Sequence, residues 1–208
     1  MKEKLLSAKL YCFTPDKYAN GRDLLKIVED QYIGGADIIQ LREKKISARE
    51  NLELAFAIKK LAVKYNKIFI VNDDIAVAKI SDADGIHLGQ DDIGVDYARS
   101  LLGVDKIIGL STHTLVQYTE GQISAADYTA IGPIFSTVTK DNPAPTVGMD
   151  SLKMILKHKK KFTVAIGGIT TVNIREMLEL PIDCYAVVSA ISGNTDVKNA
   201  AADFRNIL

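Results

Sequence analysis

The chain has 208 residues, of which 47% are hydrophobic and 25% charged, a composition that excludes disordered and fibrous classes and matches a compact globular protein. Lys plus Arg and Asp plus Glu number 26 each, so no global field draws the molecule onto nucleic acid or an anionic membrane, and any anion site must be local. Cys12 and Cys184 sit in apolar runs with no C-x-x-C spacing, which predicts buried thiols in a reducing, cytoplasmic setting.

The first residues, MKEKLLSAKLY, carry charge but no long apolar core or cleavage site, and no later apolar run approaches the roughly 18 residues of a membrane span. Secretion and membrane insertion are therefore not expected. From there, continuous apolar runs of strand length recur at residues 10–13, 38–41, 68–71, 85–88, 107–110, 128–131, 162–166 and 185–189. Unbroken runs of this kind suit a parallel sheet covered on both faces. Segments of helical period lie between them, at 21–33, 47–65, 75–80, 95–102, 114–122, 150–158, 171–180 and 195–208. The second is the clearest: Leu54, Ile58, Leu61 and Tyr65 keep the helical period, and Ser47 with Glu50 forms a capping box.

Eight strand and helix pairs at about 26 residues each predict an α/β fold, a single (β/α)₈ TIM barrel domain over residues 1–208. An open doubly wound sheet would place a glycine-rich phosphate loop after the first strand, where this chain has Thr14-Pro15-Asp16-Lys17. A weak repeat supports the barrel, since Asp37, Asp84, Asp127 and Asp183 each stand just before an even-numbered strand. The one long irregular stretch, 133–148, holds three of the five prolines and the run Thr137-Val138-Thr139-Lys140. Its length and its donors predict an active-site loop.

In a barrel, the residues just past the C-terminal end of each strand converge on one mouth. Strand alternation puts Gln40, Arg42 and Lys44 on one side after the second strand, where an Arg fork and a Lys point charge suit phosphate. Asn72-Asp73-Asp74 ends the third strand and Gln90-Asp91-Asp92 follows the fourth. Carboxylates from neighbouring strands suit Mg²⁺ held jointly with substrate phosphate, while Asp74 and Asp91 are also placed to cap helices. Ser111 and His113 follow the fifth strand without an acidic third partner, so no hydrolase triad is read. Gly167-Gly168 and Ser189 follow the seventh and eighth strands, the usual place for a phosphate in this fold. His87 lies inside a strand and reads as a packed core histidine, and His158 as a cation at a helix C-terminus. The lysines of 157–161 read as a solvated face.

Taken together, QLREK at 40–44, VNDD at 71–74, DGIHLGQDD at 84–92, GLSTHT at 109–114, IGPIFSTVTK at 131–140, AIGGI at 165–169 and VVSAI at 187–191 resemble the thiamine phosphate synthase family. The resemblance covers nearly the whole chain. It implies a transferase of (β/α)₈ fold that condenses a hydroxymethylpyrimidine diphosphate with a thiazole phosphate, using Mg²⁺, with small molecules as its partners and neither nucleic acid nor membrane. It assigns Gln40, Arg42, Lys44, Asn72, Ser111 and Lys140 to the pyrimidine diphosphate, Asp73 and Asp92 to Mg²⁺, and Thr137, Thr139, Gly168, Val188 and Ser189 to the thiazole phosphate. Arg42, Lys44, Ser111 and Lys140 are the residues expected to act in catalysis. A thiazole tautomerase of the same fold, with His113 as acid or base, and a non-catalytic regulator that binds thiamine precursors are the alternatives. The four groups Arg42, Lys44, Asp73 and Asp92 favour the synthase. Nothing in the pattern marks an oligomer surface.

Overall fold

The computed structural model describes residues 2–137, 139 and 144–208. Among the described residues, eight parallel strands close into a barrel in sequence order: β1 (Leu10–Phe13), β2 (Ile38–Leu41), β3 (Ile68–Asn72), β4 (Gly85–Leu88), β5 (Ile107–Thr112), β6 (Tyr128–Ile131), β7 (Phe162–Ile166) and β8 (Cys184–Ala186). The β1–β8 pair, with Leu10 opposite Tyr185, completes the ring. The helices are α1 (Lys2–Ser7), α2 (Leu24–Ile33), α3 (Ala48–Tyr65), α4 (Ile75–Ile80), α5 (Val95–Leu102), α6 (Leu115–Ile123), α7 (Met149–Leu156), α8 (Ser189–Ser192) and α9 (Val197–Ile207). None of them is long and apolar enough to cross a membrane.

Helix starts follow the capping chemistry. Ser47 Oγ accepts the Glu50 N–H at 3.2 Å and Glu50 Oε2 accepts the Ser47 N–H at 2.8 Å, the reciprocal box expected before α3. Asp23, Asp74, Thr114 and Asp196 cap α2, α4, α6 and α9 with their side chains. The Asp23 cap explains why α2 begins at Leu24 and not at residue 21. The helix expected over 171–180 is a short 3₁₀ turn, Asn173–Met177. There Asn173 accepts the Thr170 N–H and donates to the Gly168 carbonyl, which ties the segment to the end of β7, and Pro181 prevents its extension. Strand β8 stops at Ala186, and the expected strand end at Ser189 instead opens the single turn of α8. Helix α1 falls in the charged N-terminal segment, where only Leu5 is buried and no apolar stripe marks a helix in the sequence.

Two apolar layers result. Outward residues such as Cys12, Ile39, Phe69, Ile86, Ile108 and Ala165 pack beneath the helices, while Tyr11, Phe13, Ile38, Ile70, Ile107, Tyr128, Val164 and Cys184 fill the barrel. Leu5 of α1 and Ala8 join the interior cluster. Alternation along each strand thus fills the barrel with apolar side chains below and leaves polar ones above.

Candidate active site

A cavity opens at the C-terminal ends of the strands, and nine of the expected residues line it: Gln40, Arg42, Asn72, Ser111, Thr137, Thr139, Gly168, Val188 and Ser189. Lys44, Asp73 and Asp92 stand at exposed positions in the loops that follow β2, β3 and β4. Lys140 lies outside the described residues.

On the β2 side, Gln40 is buried and its Nε2 donates to Tyr11 Oη at 2.7 Å. The Arg42 backbone N–H donates to Thr14 Oγ1 at 2.9 Å, and Glu43 Oε1 accepts the Asp16 N–H at 3.0 Å. These bonds join the β1 and β2 loops and leave the Arg42 side chain at the cavity wall.

The two Asp residues after β3 divide their work. Asp74 accepts the Val77 N–H at 2.9 Å and is a helix cap, as its position suggested. Asp73 takes a left-handed backbone at φ 60°, and its N–H donates to the His87 carbonyl at 2.9 Å. The Asn72 amide donates to Asp73 Oδ2 at 2.6 Å. Partial burial, and then the nearby Asp92 carboxylate, push the Asp73 carboxyl up to about 6. Asp92 Oδ2 accepts the Gly89 N–H at 2.6 Å, which holds it toward β4. Two like charges from adjacent strands therefore meet at the rim.

Across the cavity, the loop after β6 packs on the glycines after β7. Ile134 and Phe135 donate their N–H groups to the Ile166 and Gly167 carbonyls at 2.9 and 3.0 Å. A Cβ on Gly168, where φ is +65°, would lie 2.4 Å from the Ser136 carbonyl oxygen, so only glycine lets the two loops approach this closely. The Thr137 and Thr139 hydroxyls lie 3.1 Å apart, and Tyr18 Oη is 3.3 Å from Thr139 Oγ1. Between Ile131 and Met149 no described residue is in a helix or strand, in keeping with the expected long loop.

The lining residues that carry no functional reading in sequence include Tyr18, Tyr11 and His87. Tyr18 is positioned by Arg22, whose guanidinium donates to the carbonyls of Tyr18, Ala19, Ser192 and Asn194 and so ties the β1 loop to the α8 turn. Tyr11 lies within the apolar run of β1 and is buried on the cavity wall. His87, which its place inside a strand marks as a packed core histidine, is buried, but it faces the cavity and its Nε2 lies 2.8 Å from Ser111 Oγ. No local pattern separates such a residue from a core histidine, because its partner comes from the neighbouring strand. His113 also lines the cavity, with Nδ1 held 2.5 Å from the Gly132 carbonyl oxygen.

Comparison with known proteins bears directly on this arrangement. Residues 10–191 match the profile of a family described as Thiamine monophosphate synthase. A thiamine-phosphate synthase of Shouchella clausii is 42% identical over 193 residues, 93% of this chain and 92% of the relative. One from Dictyoglomus turgidum is 40% identical over 210 residues, 100% of this chain and 94% of the relative. The solved structure of a thiamine phosphate pyrophosphorylase from Pyrococcus furiosus superposes with a TM-score of 0.89 at 34% identity, covering 98% of this chain and 96% of that one. A 3-hexulose-6-phosphate synthase, at 18% identity and a TM-score of 0.71 over 96% of this chain and 99% of its own, shares the fold alone. With the profile and the relatives both running along nearly the whole barrel, the chain belongs to the thiamine monophosphate synthase family.

Proposed function

We propose that this chain is a thiamine-phosphate synthase, a cytoplasmic single-domain enzyme. In this reading it joins 4-amino-2-methyl-5-(diphosphomethyl)pyrimidine to a thiazole phosphate, releasing diphosphate, with Mg²⁺ as cofactor and no nucleic acid or membrane involved. The observation that carries the reading is the two-sided mouth. Gln40, Arg42, Asn72 and Ser111 line one side of a single cavity, and Thr137, Thr139, Gly168 and Ser189 the other. One anionic substrate can therefore meet another within reach of bond formation.

The rim pair fits Mg²⁺. Asp73 and Asp92 offer hard oxygen donors, and a divalent cation relieves the Asp92 repulsion that, after partial burial, raises the Asp73 carboxyl. Among the described residues no cluster of three or more metal-ligating side chains occurs, which leaves the remaining coordination positions to diphosphate and water. When bound, Mg²⁺ supplies positive charge beside the departing diphosphate.

The residues of the chain then account for the chemistry. Arg42 offers a planar fork and Lys44 a point charge to the diphosphate oxygens, with Lys140 and Ser111 as further donors. The bond between the methylene carbon and the bridging oxygen breaks, and its electron pair leaves with the diphosphate. The pyrimidine amino group spreads the positive charge left on that carbon. Thr137, Thr139, Gly168, Val188 and Ser189 hold the thiazole phosphate so that the ring nitrogen faces the same carbon, where its lone pair forms the new bond. A covalent enzyme intermediate has no suitable nucleophile in Cys12 or Cys184: both are buried, and burial raises both thiols.

The test is product formation from the two substrates with and without Mg²⁺. The expected result is thiamine phosphate and diphosphate in equal amounts, dependent on the metal. Isomerisation of a thiazole alone would favour a tautomerase using His113, and binding without turnover would favour a regulator.

A further inference from the structure

The roles assigned above leave unused a run of hydrogen bonds on the cavity floor. It begins where Gln40 Nε2 donates to Tyr11 Oη at 2.7 Å. Tyr11 Oη lies 3.0 Å from Tyr128 Oη, which lies 2.9 Å from His87 Nδ1, and His87 Nε2 lies 2.8 Å from Ser111 Oγ. The two ends are residues that the proposed function places against substrate. The three in the middle, Tyr11, Tyr128 and His87, are 1%, 0% and 8% exposed.

Counting hydrogens gives the run a direction. An amide nitrogen only donates and a phenol has one hydrogen to give. Burial holds both phenols far above their ordinary value, so both remain O–H. Tyr11 Oη accepts from Gln40 and passes its own hydrogen to Tyr128. Tyr128 passes its hydrogen to His87 Nδ1, which is then an acceptor, so Nε2 carries the ring proton and donates it to Ser111 Oγ. The reverse direction would bring the Gln40 and Tyr128 hydrogens together on Tyr11 Oη. It would also strand the Tyr11 hydrogen without an acceptor in the run, at a buried position where an unmade bond is costly.

The backbone is cut to seat this arrangement. Gly109 is in register with His87 on one side and Tyr128 on the other. A Cβ there would lie 2.0 Å from Tyr128 Cζ and 2.3 Å from its Oη. Glycine weakens a strand interior, and here it makes the recess that the Tyr128 ring occupies. That ring stacks on His87 with centroids 5.6 Å apart.

We propose that Tyr11, Tyr128 and His87 are positioning residues that hold His87 as its Nε2–H tautomer and thereby make Ser111 a hydrogen-bond donor to the diphosphate leaving group. A serine whose oxygen accepts a hydrogen bond from the imidazole N–H has its own hydrogen free for an anionic oxygen, and bonds in such a run polarise one another. This is the opposite polarity to a serine nucleophile, whose histidine must accept the hydroxyl proton. The role of Ser111 rests on the proposed function; the tautomer does not.

The experiment is nitrogen NMR of the full-length protein labelled in its histidine rings, with the His87 signals identified by their loss in His87→Gln. A protonated Nε2 and a bare Nδ1 at neutral pH are expected. An Nδ1–H tautomer or a doubly protonated ring overturns the proposal. In Tyr128→Phe, which keeps the ring, the tautomer preference should weaken and kcat should fall about tenfold, the scale of one lost hydrogen bond, with KM for the pyrimidine substrate moving less than about twofold. His87→Gln retains an N–H donor that can reach Ser111 and should keep more kcat than His87→Leu. Equal losses in the two folded variants, or unchanged kcat in Tyr128→Phe, also overturn it. An inactive protein with the expected tautomer would sink the functional reading and leave the tautomer standing, whereas an active protein with the reverse tautomer would sink only the present inference.

Discussion

The carboxylate of Asp84 accepts the backbone N–H of Phe69 at 2.9 Å, and the backbone N–H of Asp84 returns a bond of 2.9 Å to the Phe69 carbonyl. The same reciprocal clasp joins Asp37 to Leu10, Asp127 to Ile108 and Asp183 to Thr163. Each Asp precedes an even strand and grips the start of the odd strand before it, at the end of the barrel opposite the mouth. A cation completes each clasp: Lys67 on Asp37, Lys59 on Asp84, Arg99 on Asp127 and Lys159 on Asp183.

Removing one clasp should destabilise the barrel without touching the chemistry. Asp84→Ala leaves the buried Phe69 N–H unpaired and strips Lys59 of its partner. A loss of about 2–4 kcal/mol is expected in denaturant unfolding, with kcat of the folded enzyme unchanged within about twofold. A large fall in kcat at full stability would contradict the separation of the two ends.

The Asp37 clasp should appear in the acid limb of stability. Burial alone would raise this carboxyl, but the Lys67 ammonium and the N–H groups of Lys9 and Leu10 take it below its ordinary value. The unfolded chain then binds more protons than the native one between the folded value and about pH 4, so the contribution is complete above about pH 4 and is lost as pH falls through the folded value. Asp37→Asn should be less stable than the natural chain at pH 7, with the gap closing below about pH 4. A gap that stays constant across unfolding curves taken from neutral to strongly acidic pH would refute this.

Asp73 and Asp92 should act as a pair toward Mg²⁺. Asp73→Asn and Asp92→Asn keep shape but remove a hard anionic donor, and each should lower activity at limiting Mg²⁺ by on the order of 100-fold. Normal turnover in both variants, measured across a Mg²⁺ titration, would show that the metal sits elsewhere.

On the proposed assignment, in which binding energy at Gly168, Ser189, Thr137 and Thr139 orients the ring nitrogen, a thiazole alcohol without its phosphate should react poorly. The expected fall in kcat/KM is at least about 100-fold, and added inorganic phosphate should not fully restore it. Equal kcat/KM for alcohol and phosphate would remove the case for a second anion site.

If departure of diphosphate runs ahead of bond formation, electron-withdrawing substituents on the pyrimidine should slow the chemical step strongly. Single-turnover measurement at saturating substrate separates this from weaker binding. A negligible substituent effect, or a covalent pyrimidine–enzyme adduct on the normal path, would sink the dissociative order.

The boundaries of β1, β2, β4, β6 and β7, and of α4 and α5, agree with the sequence pattern residue for residue, because burial of both sheet faces and the helical period act locally. Alternation likewise carried Gln40 and Arg42 to the mouth, and capping chemistry told Asp74 from its neighbour Asp73 only once the backbone bonds were seen. The Asp repeat was visible as spacing, but its meaning was not, since the partner of Asp37 lies 27 residues earlier in the chain. His87 shows the limit most clearly. Its strand and its burial were legible, whereas its contacts reach 24 residues on to Ser111 and 41 residues on to Tyr128. The sequence by itself determined an eight-fold barrel with its polar motif residues at one mouth, because periodicity and motif residues are properties of short segments. Which polar side chains meet on the cavity floor was decided only when ring closure brought strands distant in sequence to within hydrogen-bond reach, at a depth where each of those groups must find a partner.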